Sequence, residues 1–361
     1  MHAILPAGLP IQELWDLIID EILSKKDLQS CSLVCRAFVA RAQFLLFRLI
    51  HIWRTTHQHT VARAIELASL LAVSPHIIRH IRRLTLGACD AAVLSPLVQI
   101  PWTHLESISF GLRVSSTVDL HRIPNLVCLG SLREVVFRGW QWKMEDISNI
   151  LSHCTQHLEH VEFFECGRAA AHVPPVFQCR APKIHRLHFK DSAMPATLID
   201  CPLPWDLSAL THVRVSQSMH GLNSFLQQVC STIESLHLDG IDHGIESLDL
   251  SIFPALKYLT TDSIGRSFNT MLTSLPPNNT IDTICICIRW FGQIPQLVPE
   301  FQKTFTSLKL PVLRRVEVEV APEALYFRYN ATELRIRFQR DLSQIYERGL
   351  LSVHFVAASR N

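Results

Sequence analysis

The chain has 361 residues, of which 48% are hydrophobic and 18% charged: too long for one ordinary core and too apolar to be dominated by disorder. Its 34 Lys+Arg against 32 Asp+Glu leave a formal net charge of +2, which gives no electrostatic drive toward nucleic acid or an anionic membrane. The 11 cysteines are odd in number, irregularly spaced and without a Cys-x-x-Cys pair, so neither a disulfide framework nor a standard zinc motif is expected of them.

In chain order, Met1 to Pro10 lacks the basic start and apolar run of a secretory signal, and cytosol or nucleus is the expected compartment. An amphipathic helix is predicted from Glu13 to Leu23, with Leu14, Leu17, Ile18 and Ile22 at three- and four-residue steps. Ser24-Lys25-Lys26 breaks it, and Asp27 is the predicted N-cap of a second helix carrying Leu28, Cys31, Val34, Cys35 and Phe38. A third segment covers Val39 to Phe47. Three helices this short cannot bury all that apolar surface by themselves.

Leu9-Pro10, Glu13-Leu14, Ile18-Ile19, Asp27-Leu28, Leu33 to Phe38 and Leu46-Phe47-Arg48 follow the order and rough spacing of an F-box. The stretch from residue 9 to 50 resembles the F-box proteins abundant in filamentous and mushroom-forming fungi. It departs from them in two places: one extra residue separates Pro10 from Glu13, and Lys26 stands where a proline is common. The resemblance implies a three-helix module that docks on a Skp-family adaptor carried by a cullin. It assigns the adaptor contacts to Leu9, Pro10, Leu14, Ile18, Leu28, Val34, Cys35 and Phe47.

Beyond it, Val61 to Val73 reads as a linking helix too short and too charged for a membrane span. From there the frame apolar-x-x-apolar-x-apolar recurs. Its first members are Ile81, Leu105, Leu132, Leu158, Ile184, Leu210, Ile233, Leu256 and Ile281, which lie 24, 27, 26, 26, 26, 23, 23 and 25 residues apart. Phe47-Ile50-Ile52 precedes the series, Leu313-Val316-Val318 follows it, and Leu350-Val353-Phe355 is a candidate terminal copy. Intervals of this length resemble leucine-rich repeats, in which one strand and one returning segment per repeat stack into a continuous core. The return segments Trp142 to Leu151 and Leu222 to Val229 carry helical signatures. The predicted class is α/β: an F-box over 1–50, a linker helix and cap over 51–80, and a degenerate leucine-rich-repeat solenoid over 81–361, a curved parallel sheet with helices on its convex side.

The residues between frame positions line the opposite, concave face of such a sheet. Arg138, His160, Phe164, Arg186, His188, Lys190 and Arg214 form a predicted basic stripe for an unknown protein target, acidic or phosphorylated, and Asp239, Asp262, Glu317 and Glu319 follow as an acidic end. The cluster His153-Cys154-x-x-His157-x-x-His160 fits neither a zinc finger nor a metalloprotease helix, and Cys285 and Cys287 have no base nearby in sequence. No catalytic residue, metal or cofactor is therefore assigned, and no nucleic-acid or membrane partner. The expected role is the substrate-recognition subunit of an SCF-type ubiquitin ligase. The alternative is a repeat scaffold whose F-box has decayed and which stands outside any ligase.

Overall fold

The computed structural model describes residues 11–22, 24–53, 56–111, 118–139, 142–166, 181–192, 195, 205–216, 221–240, 248–262, 266–288, 305, 310–320 and 331–355. The fold is α/β, with every described strand pair parallel and the strands in chain order. It divides into two compact units, one built mainly on Met1–Trp142 and Asp146–Leu158, the other mainly on the chain from Glu159 onward. No helix among the described residues is long and apolar enough to cross a membrane.

The first unit opens with three helices, α1 (Ile11–Asp20), α2 (Lys25–Val34) and α3 (Arg36–Phe47). The N-cap of α2 is Ser24, not Asp27: its side-chain oxygen accepts from the Asp27 amide, and Asp27 sits in the first turn, where a carboxylate favours the helix dipole. Ile19, Leu28 and Ala42 form the small buried core of the three helices. The helices share their unit with the strands β1 (Leu49–Ile52), β2 (Arg83–Leu86), β3 (Ser107–Gly111) and β4 (Glu134–Arg138). The expected break after residue 50 thus falls inside β1, which is already paired with β2. The linking helix α4 is longer than predicted, His57–Val73, because the Thr56 side chain caps it by accepting from the His59 amide. Asp90 then caps α5 (Ala91–Leu97) through the Ala92 and Val93 amides, while its other oxygen meets His57 Nε2 of α4 at 2.6 Å.

The second unit carries β5 (His160–Phe164), β6 (Arg186–Lys190), β7 (His212–Ser216), β8 (Ser235–Asp239), β9 (Tyr258–Thr261), β10 (Thr283–Ile288), β11 (Arg315–Val320) and β12 (Leu351–Phe355). In both units the frame sets the register. Ile50, Leu84, Ile108 and Val135 stand side by side in the first. Val161, Leu187, Val213, Leu236, Leu259, Ile284 and Val316 do so in the second. A slip of one residue would turn every frame side chain to the wrong face, so burial of the frame enforces this pairing. The terminal copy is the exception. Val316 pairs with Leu351 and Val318 with Val353, a shift of two residues from the frame Leu350-Val353-Phe355. A shift of two keeps alternation intact, so the hydrophobic pattern cannot distinguish the two registers.

Aromatic frame residues fill the space over the sheet. Phe110 and Phe137 pack against Trp142, whose Nε1 donates to the Arg138 carbonyl at 3.1 Å. In the second unit Phe163 stacks on Phe189 at 5.7 Å, and Phe189 meets Phe225 of the helix Leu222–Val229 edge-on. Return helices of this kind cover the frame face, and the alternate side chains of the strands project from the other.

One polar device recurs. The hydroxyls of Ser131, Thr232 and Thr280, each just before a frame start, donate to the carbonyls of Leu105, Leu210 and Leu256, the frame starts of the preceding repeats. Buried strand-entry carbonyls are thereby satisfied where no strand amide reaches them.

Candidate binding surfaces

The helices present the first surface. On α1, Ile19 turns inward, whereas Trp15 is 39% exposed with its ring 5.1 Å from that of Phe38, and Arg41 of α3 bonds the Asp20 carboxylate. A helical turn then leaves Leu14, Leu17 and Ile18 on another side of α1. Leu14 is half-buried, while Leu17 and Ile18 are 51% and 55% exposed. At the end of α2, Leu33 and Val34 are 87% and 68% exposed, and Cys35 is exposed in the joint to α3. Phe47 is half-buried and lines a groove with Ile50, Arg63, Leu67 and Leu70. Leu28 corrects the expected set of contacts. It is buried against Ile19 and Ala42, where the apolar side of α2 closes the helix core seen among the described residues. Leu9 and Pro10 lie outside the described residues.

The second surface is the non-frame face of β5 to β8. Register places His160, Arg186, His212 and Ser235 in one row, Glu162, His188, Arg214 and His237 in the next, and Phe164, Lys190, Ser216 and Asp239 in a third. Six residues of the predicted stripe are thus neighbours: His160, Phe164, Arg186, His188, Lys190 and Arg214. The seventh, Arg138, ends β4 in the first unit, where its Nε donates to Ser109 Oγ at 3.0 Å.

This face is not simply basic. Glu162 takes His188 Nδ1 at 3.1 Å and lies 3.5 Å from His160 Nε2. Asp239, buried at the end of β8, accepts from Arg214 Nε and Nη2 at 3.1 and 2.7 Å and meets His237 Nε2 at 2.6 Å. Burial by itself raises the pKa of the Asp239 carboxyl, but the hydrogen bonds and charges of His237 and Arg214 outweigh it and hold the group well below the usual carboxylate range. Lys190 Nζ sits 4.5 Å over the ring of Phe164. Arg186 is exposed, and burial together with the Arg186 charge lowers the pKa of His212. A basic middle and a separate acidic end were expected; Asp239 instead belongs to the middle. The missed signal was the frame itself, which puts Ser216 and Asp239 at equivalent positions of successive repeats and so sets Arg214 diagonal to that carboxylate.

The histidine–cysteine cluster is drawn apart by its local structure. Cys154 is buried and donates to the Ile150 carbonyl, and His153 Nδ1 lies 2.7 Å from the Asn149 carbonyl oxygen. Burial pushes the Cys89, Cys154 and Cys166 thiols up, Cys166 to about 12, as befits packing residues with little thiolate character.

No protein-family model matches this chain, and no curated protein matches it.

Proposed function

We propose that this chain is the non-catalytic target receptor of an SCF-type cullin–RING ubiquitin ligase. Its N-terminal helices are read as an F-box that docks on a Skp-family adaptor, and its strand array as a degenerate leucine-rich-repeat solenoid that holds a protein target. The observation that carries the reading is the placement of Leu17, Ile18, Leu33 and Val34. These are large apolar side chains left in solvent on two successive helices whose own core is already closed. Apolar anchors on fixed helices suit a hydrophobic groove on a partner and cost little conformational entropy on binding. The resemblance of residues 9 to 50 to an F-box supplies the class of that partner, and the repeat intervals with chain-order parallel strands support the solenoid reading.

Leu14, Ile18, Val34, Cys35 and Phe47 remain in the proposed adaptor contact, with Leu9 and Pro10 from the resemblance alone; Leu28 supports it from within. The proposed target face is centred on Arg186 and Lys190, with His160, Phe164, His188 and Arg214 around them; Arg138, in the first unit, is not counted in it. With Glu162 and Asp239 embedded in it, the face fits a target of mixed polarity better than a purely acidic one.

Co-expression with a Skp-family adaptor and a cullin tests the reading. The unmodified chain is expected to co-purify with both, and Ile18→Asp/Val34→Asp to lose both while remaining folded. Capture of neither by the unmodified chain would overturn the ligase role in favour of a repeat scaffold outside any ligase. Arg186→Glu/Lys190→Glu is expected to keep the adaptor and lose the target.

A further inference from the structure

Strand β10 alternates Ile284, Ile286 and Ile288, all buried in the frame face, with Cys285 and Cys287 on the opposite face. Parallel register sets Cys285 beside Glu317 and Cys287 beside Glu319 of β11. The two carboxylates differ in what they face. Glu317 is held by Arg315 at 2.7 Å, whereas Glu319 turns to the sulfurs, its Oε2 accepting from Cys287 Sγ at 3.5 Å. The Sγ atoms of Cys285 and Cys287 and a carboxylate oxygen of Glu319 all lie within 4.8 Å of one another. A Zn–S bond of about 2.3 Å in tetrahedral geometry requires its two sulfurs about 3.8 Å apart, which falls inside the 4.8 Å within which these atoms lie.

The geometry points to a binding site for a thiophilic divalent cation, formed by Cys285, Cys287 and Glu319. Two thiols and one carboxylate are the donor set that favours zinc over magnesium or calcium, which prefer all-oxygen shells. Three protein ligands leave a fourth position for water or for a group on a bound partner. Cys287 and Glu319 are only partly buried, so an ion can reach them from solvent. Packing alone would account for Cys285, which is buried; it gives no reason for a carboxylate that accepts from Cys287 Sγ and lies within 4.8 Å of both sulfurs. The site is independent of the proposed ligase role.

The test is titration of the reduced full-length chain with Co2+, beside Cys285→Ser/Cys287→Ser and Glu319→Gln. One equivalent is expected to give a thiolate-to-cobalt charge-transfer band that Zn2+ bleaches, and the double variant is expected to lose it. Glu319→Gln should keep the sulfurs and weaken binding roughly tenfold, about 1.4 kcal/mol. A second readout needs no variant: Zn2+ should slow alkylation of Cys287, read on the peptide that carries it. Identical titrations for the unmodified chain and the folded double variant would overturn the site. So would unchanged alkylation of Cys287 under saturating Zn2+, which decides the matter if the double variant fails to fold.

Discussion

In α1 and α2, Leu17, Ile18, Leu33 and Val34 stand in solvent, whereas along the strands every apolar residue at the middle and last frame positions from Leu84 to Val318 is buried. The difference is one of completeness. A strand repeat finds its partner in the next repeat, so its apolar side chains are covered within its own unit. Three helices of ten to twelve residues close a core around Ile19, Leu28 and Ala42 and have apolar residues to spare. Exposed side chains of this size are the observation on which the proposed docking surface rests.

The contrast can be broken from either side. The largest effect belongs to the strands: Phe189→Ala removes a ring packed against both Phe163 and Phe225 and should cost about 3–5 kcal/mol in denaturant unfolding. A loss under about 1 kcal/mol would mean that the repeats are not the tightly filled array described. Next is Gly111→Ala. A Cβ there would lie 2.9 Å from the Leu86 carbonyl oxygen on the neighbouring strand, and a loss of about 1–3 kcal/mol is expected from the forced shift of backbone.

Asp239→Asn sharpens the polar side of the comparison. Arg214 is nearly half exposed, so solvent screens its charge, and the expected loss is about 1–2 kcal/mol, below that of a fully buried pair. The folded carboxyl titrates below the unfolded one. Its contribution is therefore complete above the unfolded value of about pH 3.9 and is lost as pH falls through the lower folded value. Unfolding measured down the pH scale should show the unmodified chain and Asp239→Asn converging only in acid. The smallest effect is expected on the helices: Ile18→Asp/Val34→Asp should change stability by less than about 1 kcal/mol, measured by thermal unfolding.

The sequence pattern made the strands legible and the polar geometry illegible, for a physical reason. Frame positions repeat because every repeat meets the same burial requirement, so each strand was located by its own residues. A hydrogen bond such as Arg214 to Asp239 joins residues 25 apart and exists only once two strands are in register. The same holds for Cys287 and Glu319, 32 apart, although the frame places both six residues after a frame start, Ile281 and Leu313. On the helices, apolar residues cover too much of α1 for the pattern to say which side faces in. Leu28 is assigned to the partner by the resemblance alone, whereas it packs in the core of the three helices. The two-residue shift at β12 escaped because alternation is blind to even displacements.

The hydroxyl bonds of Ser131, Thr232 and Thr280 all run in one direction, from a later repeat to the carbonyl of an earlier one. A chain leaving the ribosome makes the acceptor first. Each such repeat, as it emerges, therefore finds its anchoring carbonyl already in place, and by docking it supplies the donor that the earlier repeat's carbonyl lacks until then. Assembly along each unit can then keep pace with synthesis, one repeat at a time, without long exposure of unpaired strand edges.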